Sequence, residues 1–547
     1  MLNETDYKNN PLTKEQEEQI DVLFNSFDTT DKPGCSVGIV QDGRFIYKKS
    51  FGIANLDYDI PINSKSKFKI GSVTKEFTAS CIALLALEGK LNLDDKVRKY
   101  IPELPDYGKS ITIRHLLNHT SGLRDYLNLL RYSGFDFDKS YSREDSLKIL
   151  FRQKGLDFEP GEVKTYSNSG YLLLAKIVNL VSGKSLKEYA EERIFKPLGM
   201  ADTFYISDMN EIIKNKVIPY KINDNEISFF IHNLEPIGAG GMYSTIEDFL
   251  KWDNNFNDPK VGGTEFLESI QKKGYLNNDV EIEDYGMGFM HGTHNSRKWI
   301  GHGGAYFGFR SFHMRFPEYK TSIIIMANRE DAEEYSKSAQ IFDILFMTTK
   351  IIGTADTKTV IAPVELILSL SEQEKFCGNY WCEKVRLNRK IYLKEGKLFY
   401  WREENNESRL VPVSRNELIM ADVSVEAKLI FDFDGIQKTF KFFENGKFTS
   451  EFISYEPPVN ISQQIDKIQG CYHSEELDVI YNLKSEFGKL FLYIKDEKIS
   501  ELVAFKENIF ECKEWGSFFE FINNGKSELS EFKLNSERAS GIIFVKQ

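Results

Sequence analysis

The chain predicts an α+β protein: one antiparallel sheet built from the two ends of its first 350 or so residues and covered by helices, then two small antiparallel β-barrel-like modules. Three observations carry this. Hairpin signals sit at both ends of the first region. Long apolar helical stretches lie between them. The remainder is a duplicated run of short aromatic strands.

At the first end, Cys35-Ser36-Val37-Gly38-Ile39-Val40 and Arg44-Phe45-Ile46-Tyr47 flank Gln41-Asp42-Gly43, and Asp-Gly between apolar runs is a strong signal for a two-residue hairpin turn. The closing hairpin runs from 311–316, through a turn at Pro317, to 321–327. Between them, 72–87 ended by Gly89 and 169–181 ended by Gly183 read as helices stopped by glycine. Strands at both ends with helices between them favour a single sheet with a helical cover.

Beyond about residue 355 the pattern repeats. Gly378-Asn379-Tyr380 is followed 18 residues on by Gly396-Lys397-Leu398-Phe399, and Gly470-Cys471-Tyr472 at the same step by Gly488-Lys489-Leu490-Phe491. The copies are 92 residues apart, and Asn416 and Asn508 keep that register. Each copy suits a small antiparallel barrel or sandwich. Tyr455-Glu456-Pro457-Pro458-Val459 reads as the linker between them. The expected division is 1–354, a linker 355–368, and modules 369–456 and 457–547.

Composition narrows the function classes. The 547 residues carry 70 Lys+Arg against 82 Asp+Glu, a net charge of −12, which argues against a nucleic-acid partner. Hydrophobic residues at 41% and aromatics at 13% exclude a disordered chain. The first residues lack a leader pattern. The longest apolar runs, 81–87 and 323–327, are far short of a membrane span. Six cysteines without Cys-x-x-Cys spacing read as small buried hydrophobes in a reducing compartment, so the expected localisation is cytoplasmic, with export left open.

The chemistry concentrates in three places. Gly71-Ser72-Val73-Thr74-Lys75 opens the first apolar helix, and a three-residue step sets Ser72 and Lys75 on one face. A serine becomes a competent nucleophile when an adjacent base takes its proton. The spacing alone is weak, since Ser64/Lys67, Ser269/Lys272 and Ser530/Lys533 share it. Tyr166-Ser167-Asn168 follows Phe158-Glu159-Pro160-Gly161 and precedes the second helix. Tyr166 qualifies as a general base if cations lower its pKa, Lys75 and His302 being the candidates. Trp299-Ile300-Gly301-His302-Gly303-Gly304-Ala305 precedes the closing hairpin, where glycines admit a substrate backbone.

Ser72-x-x-Lys75, Tyr166-x-Asn168 and His302-x-Gly304, in that order, resemble the penicillin-recognising serine hydrolases, and within them the class C β-lactamase, DD-peptidase and D-aminopeptidase branch. Thr112-Ile113-Arg114-His115-Leu116-Leu117-Asn118-His119-Thr120-Ser121-Gly122-Leu123, Lys196-Pro197-Leu198-Gly199-Met200 and Gly238-Ala239-Gly240-Gly241-Met242-Tyr243-Ser244-Thr245 match as well. The resemblance covers about residues 12 to 330 and implies a β-lactamase/transpeptidase-like domain. The C-terminal pair is similar to the β-barrels of the D-aminopeptidase members, which suggests a module loop that reaches over the Ser72 pocket.

The resemblance implies that Ser72 forms an acyl-enzyme, that Lys75 and Tyr166 shuttle the proton, and that the N–H groups of Ser72 and Ala305 form the oxyanion hole. Asn168, His302, Gly303 and Gly304 would bind substrate. No metal or organic cofactor is implied. The expected partner is a small-molecule or peptide substrate: a D-amino-acid amide, an ester or a β-lactam. Many β-lactamases carry Lys-Thr-Gly where this chain has His302-Gly303-Gly304, so weak β-lactam hydrolysis is expected. The expected activity is D-aminopeptidase-like or esterase, with β-lactamase or DD-carboxypeptidase, and an idle binding protein, as alternatives.

Other residues invite simpler readings. His115 and His119 imitate half of a metalloprotease helix, but Leu116 replaces the general-base glutamate. His291 and His294 read as a solvated loop. Asp125 reads as a solvent-facing loop residue or a partner for a substrate amine. The module aromatics Tyr380, Trp381, Phe399, Tyr400, Trp401 and Tyr493 either fill the barrels or line a ligand cavity.

Overall fold

The computed structural model describes residues 12–547 except 136–140, 224–225, 348–364, 385, 404–405, 422, 424–426, 445, 460 and 523–528. The leader reading of the first residues, and most of the proposed linker 355–368, lie outside the described residues. The chain divides into two compact units, Met1–Lys350 and Ile351–Gln547.

In the first unit the two ends of the chain build one sheet. Its strand order is Tyr285–Gly286, Phe289–His294, Arg297–Tyr306, Phe309–Phe316, Thr321–Ala327, Cys35–Gln41, Arg44–Phe51. Cys35–Gln41 pairs antiparallel on both sides, Cys35 with Ala327 and with Phe51. The hairpin turns on Asp42 and Gly43 at φ 47° and 79°, as a turn matched to strand twist requires. One face buries Val37, Ile39, Phe312, Met314 and Ile325 with residues of the helices Lys14–Val22 and Glu334–Phe346. There Phe342 stacks on Phe316 with ring centroids 3.9 Å apart.

Behind the sheet runs the helix Thr74–Leu87. It is buried along nearly its whole length, and a polar knot ties it to the sheet. Glu76 accepts from Trp252 Nε1 at 2.8 Å and lies 3.1 Å from His313 Nδ1, with all three side chains buried. The sequence pattern starts this helix at Ser72; in the structure Ser72 sits in a 3₁₀ turn, Gly71–Val73, just ahead of it. Two glycines make that turn possible. Gly71 has φ 50°, and a Cβ there would lie 2.7 Å from Ala305 N. A Cβ on Gly304 would lie 2.0 Å from Ile70 O. The strand Arg297–Tyr306 is therefore pressed directly against the serine turn. The second helix, Asn168–Ser182, includes Asn168 and ends on left-handed Gly183.

The second unit contains two closed eight-stranded barrels, Gly378–Cys382 through Lys447–Tyr455 and Gly470–Ser474 through Ile542–Lys546. The 92-residue repeat is a structural repeat: Tyr380 donates to Phe376 O and Tyr472 to Ile468 O, each at 2.7 Å. The linker expectation is corrected at its first residue. Tyr455 ends a strand and packs on Phe505, beside the Trp381–Phe505–Phe518 cluster that joins the barrels. Cysteines also depart from expectation: Cys471 is exposed and Cys377 half-buried, while the other four are buried and all six are free.

Gly304→Ala should destabilise the first unit by about 1–3 kcal/mol, the range for an overpacked site. Gly303→Ala, whose Cβ would meet only the Phe312 ring at 3.1 Å, should do far less. Thermal melts followed by circular dichroism compare the two, and equal melting temperatures would show that the Ile70 peptide gives way freely.

Candidate active site

The site begins with a buried lysine. Lys75 lies on the first turn of its helix, and its Nζ donates to Ser72 Oγ at 3.0 Å, Asn168 Oδ1 at 2.9 Å and Ala239 O at 2.7 Å. An ammonium carries three N–H donors, and these acceptors match them in number. Its position also lies 4.8 Å from the Tyr166 ring centre and 5.3 Å from that of Tyr171. Lys75 is fully buried, whereas Ser72 is half-buried and Ala305 exposed, so the serine hydroxyl stands between a dry lysine and an open edge.

Asn168 is oriented by Asp125. One carboxylate oxygen of Asp125 accepts from Asn168 N at 2.7 Å and from Asn168 Nδ2 at 2.8 Å, while the other caps the helix Tyr126–Tyr132 through Leu127 N at 2.9 Å. An acceptor-only carboxylate demands the amide nitrogen, which leaves the amide oxygen for Lys75. Asp125 is buried, which corrects both readings of it as solvent-facing or as a partner for a substrate amine.

Tyr166 is half-buried at the start of the same segment. Its ring packs on His119 at 4.2 Å and approaches His302 at 6.2 Å. His119 belongs to this scaffold rather than to a metal motif: its Nδ1 accepts from Ser167 N at 3.1 Å, and its carbonyl accepts from Thr165 N at 2.9 Å. Among the described residues no group of three His, Cys, Asp or Glu side chains gathers as a metal site. The solvated-loop reading of His291 and His294 is corrected: both lie on the strand Phe289–His294, His294 lying 2.8 Å from Asp343 and His291 held down to a pKa of about 4 by burial.

His302 does not supply a cation. It is wholly buried, and desolvation, together with the nearby Lys75 charge, pushes its pKa down to about 3. Its Nδ1 lies 2.6 Å from Gly303 O, which only accepts, so that nitrogen carries the proton. The bare Nε2, 3.1 Å from Tyr285 Oη, then accepts from that hydroxyl. The expectation that His302 lowers the pKa of Tyr166 by its charge is therefore corrected: a neutral imidazole at the end of a buried tyrosine network adds none.

The residues brought together are thus Ser72, Lys75, Tyr166, Asn168 and the strand bearing His302, Gly303, Gly304 and Ala305. Sequence reasoning missed the Ala239 carbonyl, the support from Asp125 and His119, and Tyr285. The carbonyl has one signal, the run Gly238-Ala239-Gly240-Gly241. Gly238, at φ 82°, packs where a Cβ would lie 2.3 Å from Tyr171 O, and this close approach holds Ala239 over the lysine.

Residues 20–346, more than half of the chain, match the Beta-lactamase family, and the chain belongs to it. It is 28% identical over 347 residues to Penicillin-binding protein 4* of Bacillus subtilis (strain 168), covering 60% of this chain and 75% of that protein. It is 28% identical over 324 residues to a D-aminopeptidase of Cereibacter sphaeroides, covering 58% of this chain and 61%, under two thirds, of that relative. Among solved structures, the octameric penicillin-binding protein homologue from Pyrococcus abyssi aligns with a TM-score of 0.54 at 22% identity, over 80% of this chain and 99% of that one. D-amino acid amidase from Ochrobactrum anthropi SV3 aligns at 0.52 and 23% identity, over 61% and 100%. At these identities the structural likeness is one of fold.

Two predictions follow from this geometry. Asp125→Ala frees the Asn168 amide to turn and releases Lys75, and ångström-scale misplacement of such groups costs on the order of 100-fold in rate. The rate at which a fluorophosphonate labels Ser72 should fall by about that factor, and unchanged labelling in a folded variant would remove Asp125 from this role.

Between pH 6.5 and about 3 the unfolded chain protonates His302 while the folded chain does not. Its contribution to stability is therefore present above pH 6.5 and lost as pH falls, at about 1.4 kcal/mol per pH unit. Urea unfolding of His302→Gln should show a shallower fall between pH 6 and pH 4 than the parent protein; parallel curves would mean that the folded histidine takes up a proton normally.

Proposed function

We propose that the protein is a serine hydrolase that cleaves amides or esters through an acyl-enzyme, with D-residue amides as a favoured substrate class. The observation that carries this is the 3.0 Å contact between Lys75 Nζ and Ser72 Oγ, held in place by Asn168 and Ala239. Ser72 Oγ attacks the carbonyl carbon, and its proton passes to whichever member of the Lys75–Tyr166 pair is unprotonated, Lys75 as the free amine or Tyr166 as the phenolate. The N–H groups of Ser72 and Ala305 receive the charge that develops on the carbonyl oxygen, a type of contact worth about 3–4 kcal/mol per donor. The pair then returns the proton to the leaving amine or alcohol, and water releases the acyl group by the same steps in reverse.

Substrate choice follows from the third motif. A carboxylate on the substrate, as in a penicillin or a C-terminal D-alanine, is favoured by a cation and a hydroxyl beside the nucleophile. Here His302 is neutral and Gly303 has no hydroxyl. This supports substrates without that carboxylate: esters, and amides of D-residues with a free amine. The relatives named D-aminopeptidase and the fold neighbour named D-amino acid amidase support the same class.

Nitrophenol release from p-nitrophenyl acetate should drop by at least about 1,000-fold in Ser72→Ala. The parent protein should hydrolyse D-alanine p-nitroanilide well above its L-enantiomer, and nitrocefin only slowly. Equal release by parent and Ser72→Ala would transfer the site to a binding role, and rapid nitrocefin turnover would move the assignment to a β-lactamase.

A further inference from the structure

The two barrels are built on one lattice, so each serves as a control for the other. Ile391 and Leu483, Leu398 and Leu490, Phe440 and Phe532, and Phe452 and Phe544 are pairs 92 residues apart, all buried. Elsewhere on the same inward-facing rows the copies part. In the second barrel Tyr481, Leu492, Ile494 and Ile542 are buried, and Tyr481 stacks on Phe544 at 4.2 Å. The first barrel has Arg389, Tyr400, Arg402 and Ser450 at those places, and a cavity of about 390 Å³ opens among them. Phe442, Phe452 and Met420 form its apolar wall.

The arginines mark what the cavity is for. Lys390 pairs with Trp401 across the two strands, so Arg389 and Arg402 follow at the next facing step, like charges on the same inner side. Both are half-buried. Arg389 donates to Asn388 O at 2.7 Å; Arg402 donates to Ser408 Oγ at 3.0 Å and Asn406 Oδ1 at 3.2 Å, with Met420 Sδ 3.2 Å away. Each guanidinium has five donors, and these acceptors are neutral. Their Cζ atoms lie 6.0 and 5.3 Å from the Tyr400 ring centre. Among the described lining residues Glu444 is the single carboxylate and sits exposed at the rim, so the described lining carries a net charge of +1.

We propose that the first barrel is a binding site for a small organic carboxylate with an apolar body. The anion sits between Arg389 and Arg402, where bidentate guanidinium–carboxylate geometry is strong, and the tail lies against Phe442, Phe452 and Met420. The volume falls within the range of small-molecule sites, and the mixture of an apolar wall with a few fixed polar groups is their usual composition. The second barrel, with Tyr481, Leu492, Ile494 and Ile542 buried at the equivalent places, lacks both arginines and binds no such ligand.

Isothermal titration of the full chain with decanoate tests this, with decanol lacking the anion and acetate lacking the tail. Decanoate should bind at one site and the two controls should not. Arg389→Met and Arg402→Met should each weaken binding by about tenfold or more, and Glu444→Gln should leave it intact or tighter. Ser450→Ile, which installs the residue of the second barrel, should abolish binding by filling the cavity while keeping both arginines, and it settles the matter if an arginine variant fails to fold. No binding of decanoate, or binding unchanged by Ser450→Ile and by the arginine variants, would overturn the proposal; the latter would place decanoate elsewhere, the Ser72 site included.

Discussion

The first unit of this protein depends on keeping one buried lysine amine in place. Lys75 is removed from water, and a buried charge is tolerated only when its donors are met. Its acceptors come from separate parts of the chain: the turn before its own helix, the head of the Asn168 helix, and the Gly238–Gly241 run. Asn168 does two jobs at once, its amide oxygen facing the ammonium and its amide nitrogen facing Asp125. A cation and a carboxylate thus share a rigid neutral bridge instead of a direct contact, which would draw Lys75 away from Ser72. Gly238 serves the same demand, because it lets the Ala239 carbonyl come close enough to complete the cage, while Gly71 and Gly304 let the strand Arg297–Tyr306 press against the serine turn.

The third motif shows the opposite use of burial. His302 occupies a strand position beside the serine turn, yet its environment favours the uncharged ring. The Gly303 carbonyl and the Tyr285 hydroxyl satisfy the two ring nitrogens in one tautomer, so the ring is held without a proton to spare. A lysine already nearby makes a second cation costly, since like charges at close range disfavour each other's charged form. Lys75, and less strongly Lys164, are the cations that His302 feels, and the ring stays neutral.

Much of this was legible in the sequence because local chemistry agrees with the fold. Asp42-Gly43 announced a hairpin, Gly183 ended a helix, and the 92-residue repeat foretold two like modules. Ser72-x-x-Lys75 was readable only beside its companions, because the partner of the lysine separates it from the other Ser-x-x-Lys steps: Lys67, also buried, pairs with Asp202 and Lys214 O, whereas Lys75 reaches the serine three residues before it. The Ala239 carbonyl was invisible because a backbone acceptor has no residue type. Asp125 was misread because a loop aspartate looks the same whether it faces water or caps a helix from inside. The charge of His302 was misread because it belongs to the surroundings and not to the residue.

The duplicated barrels carry that last point furthest. A repeat detected from Gly-Tyr and Gly-Lys-Leu marks shared strands and turns, and those positions are indeed the ones whose packing is the same in both copies. What differs lies at inward-facing positions within the lattice, where substitution leaves the closure of the barrel intact. Tyr481, Leu492, Ile494 and Ile542 are buried at these places in one copy; Arg389, Tyr400, Arg402 and Ser450 leave the other with a charged hollow. Two facing arginines stabilise nothing by themselves, and a barrel needing only to be filled would be more stable with the side chains of its twin. Their presence in one copy alone therefore points to a ligand and not to packing, and it locates that role at positions the repeat does not conserve between its two halves.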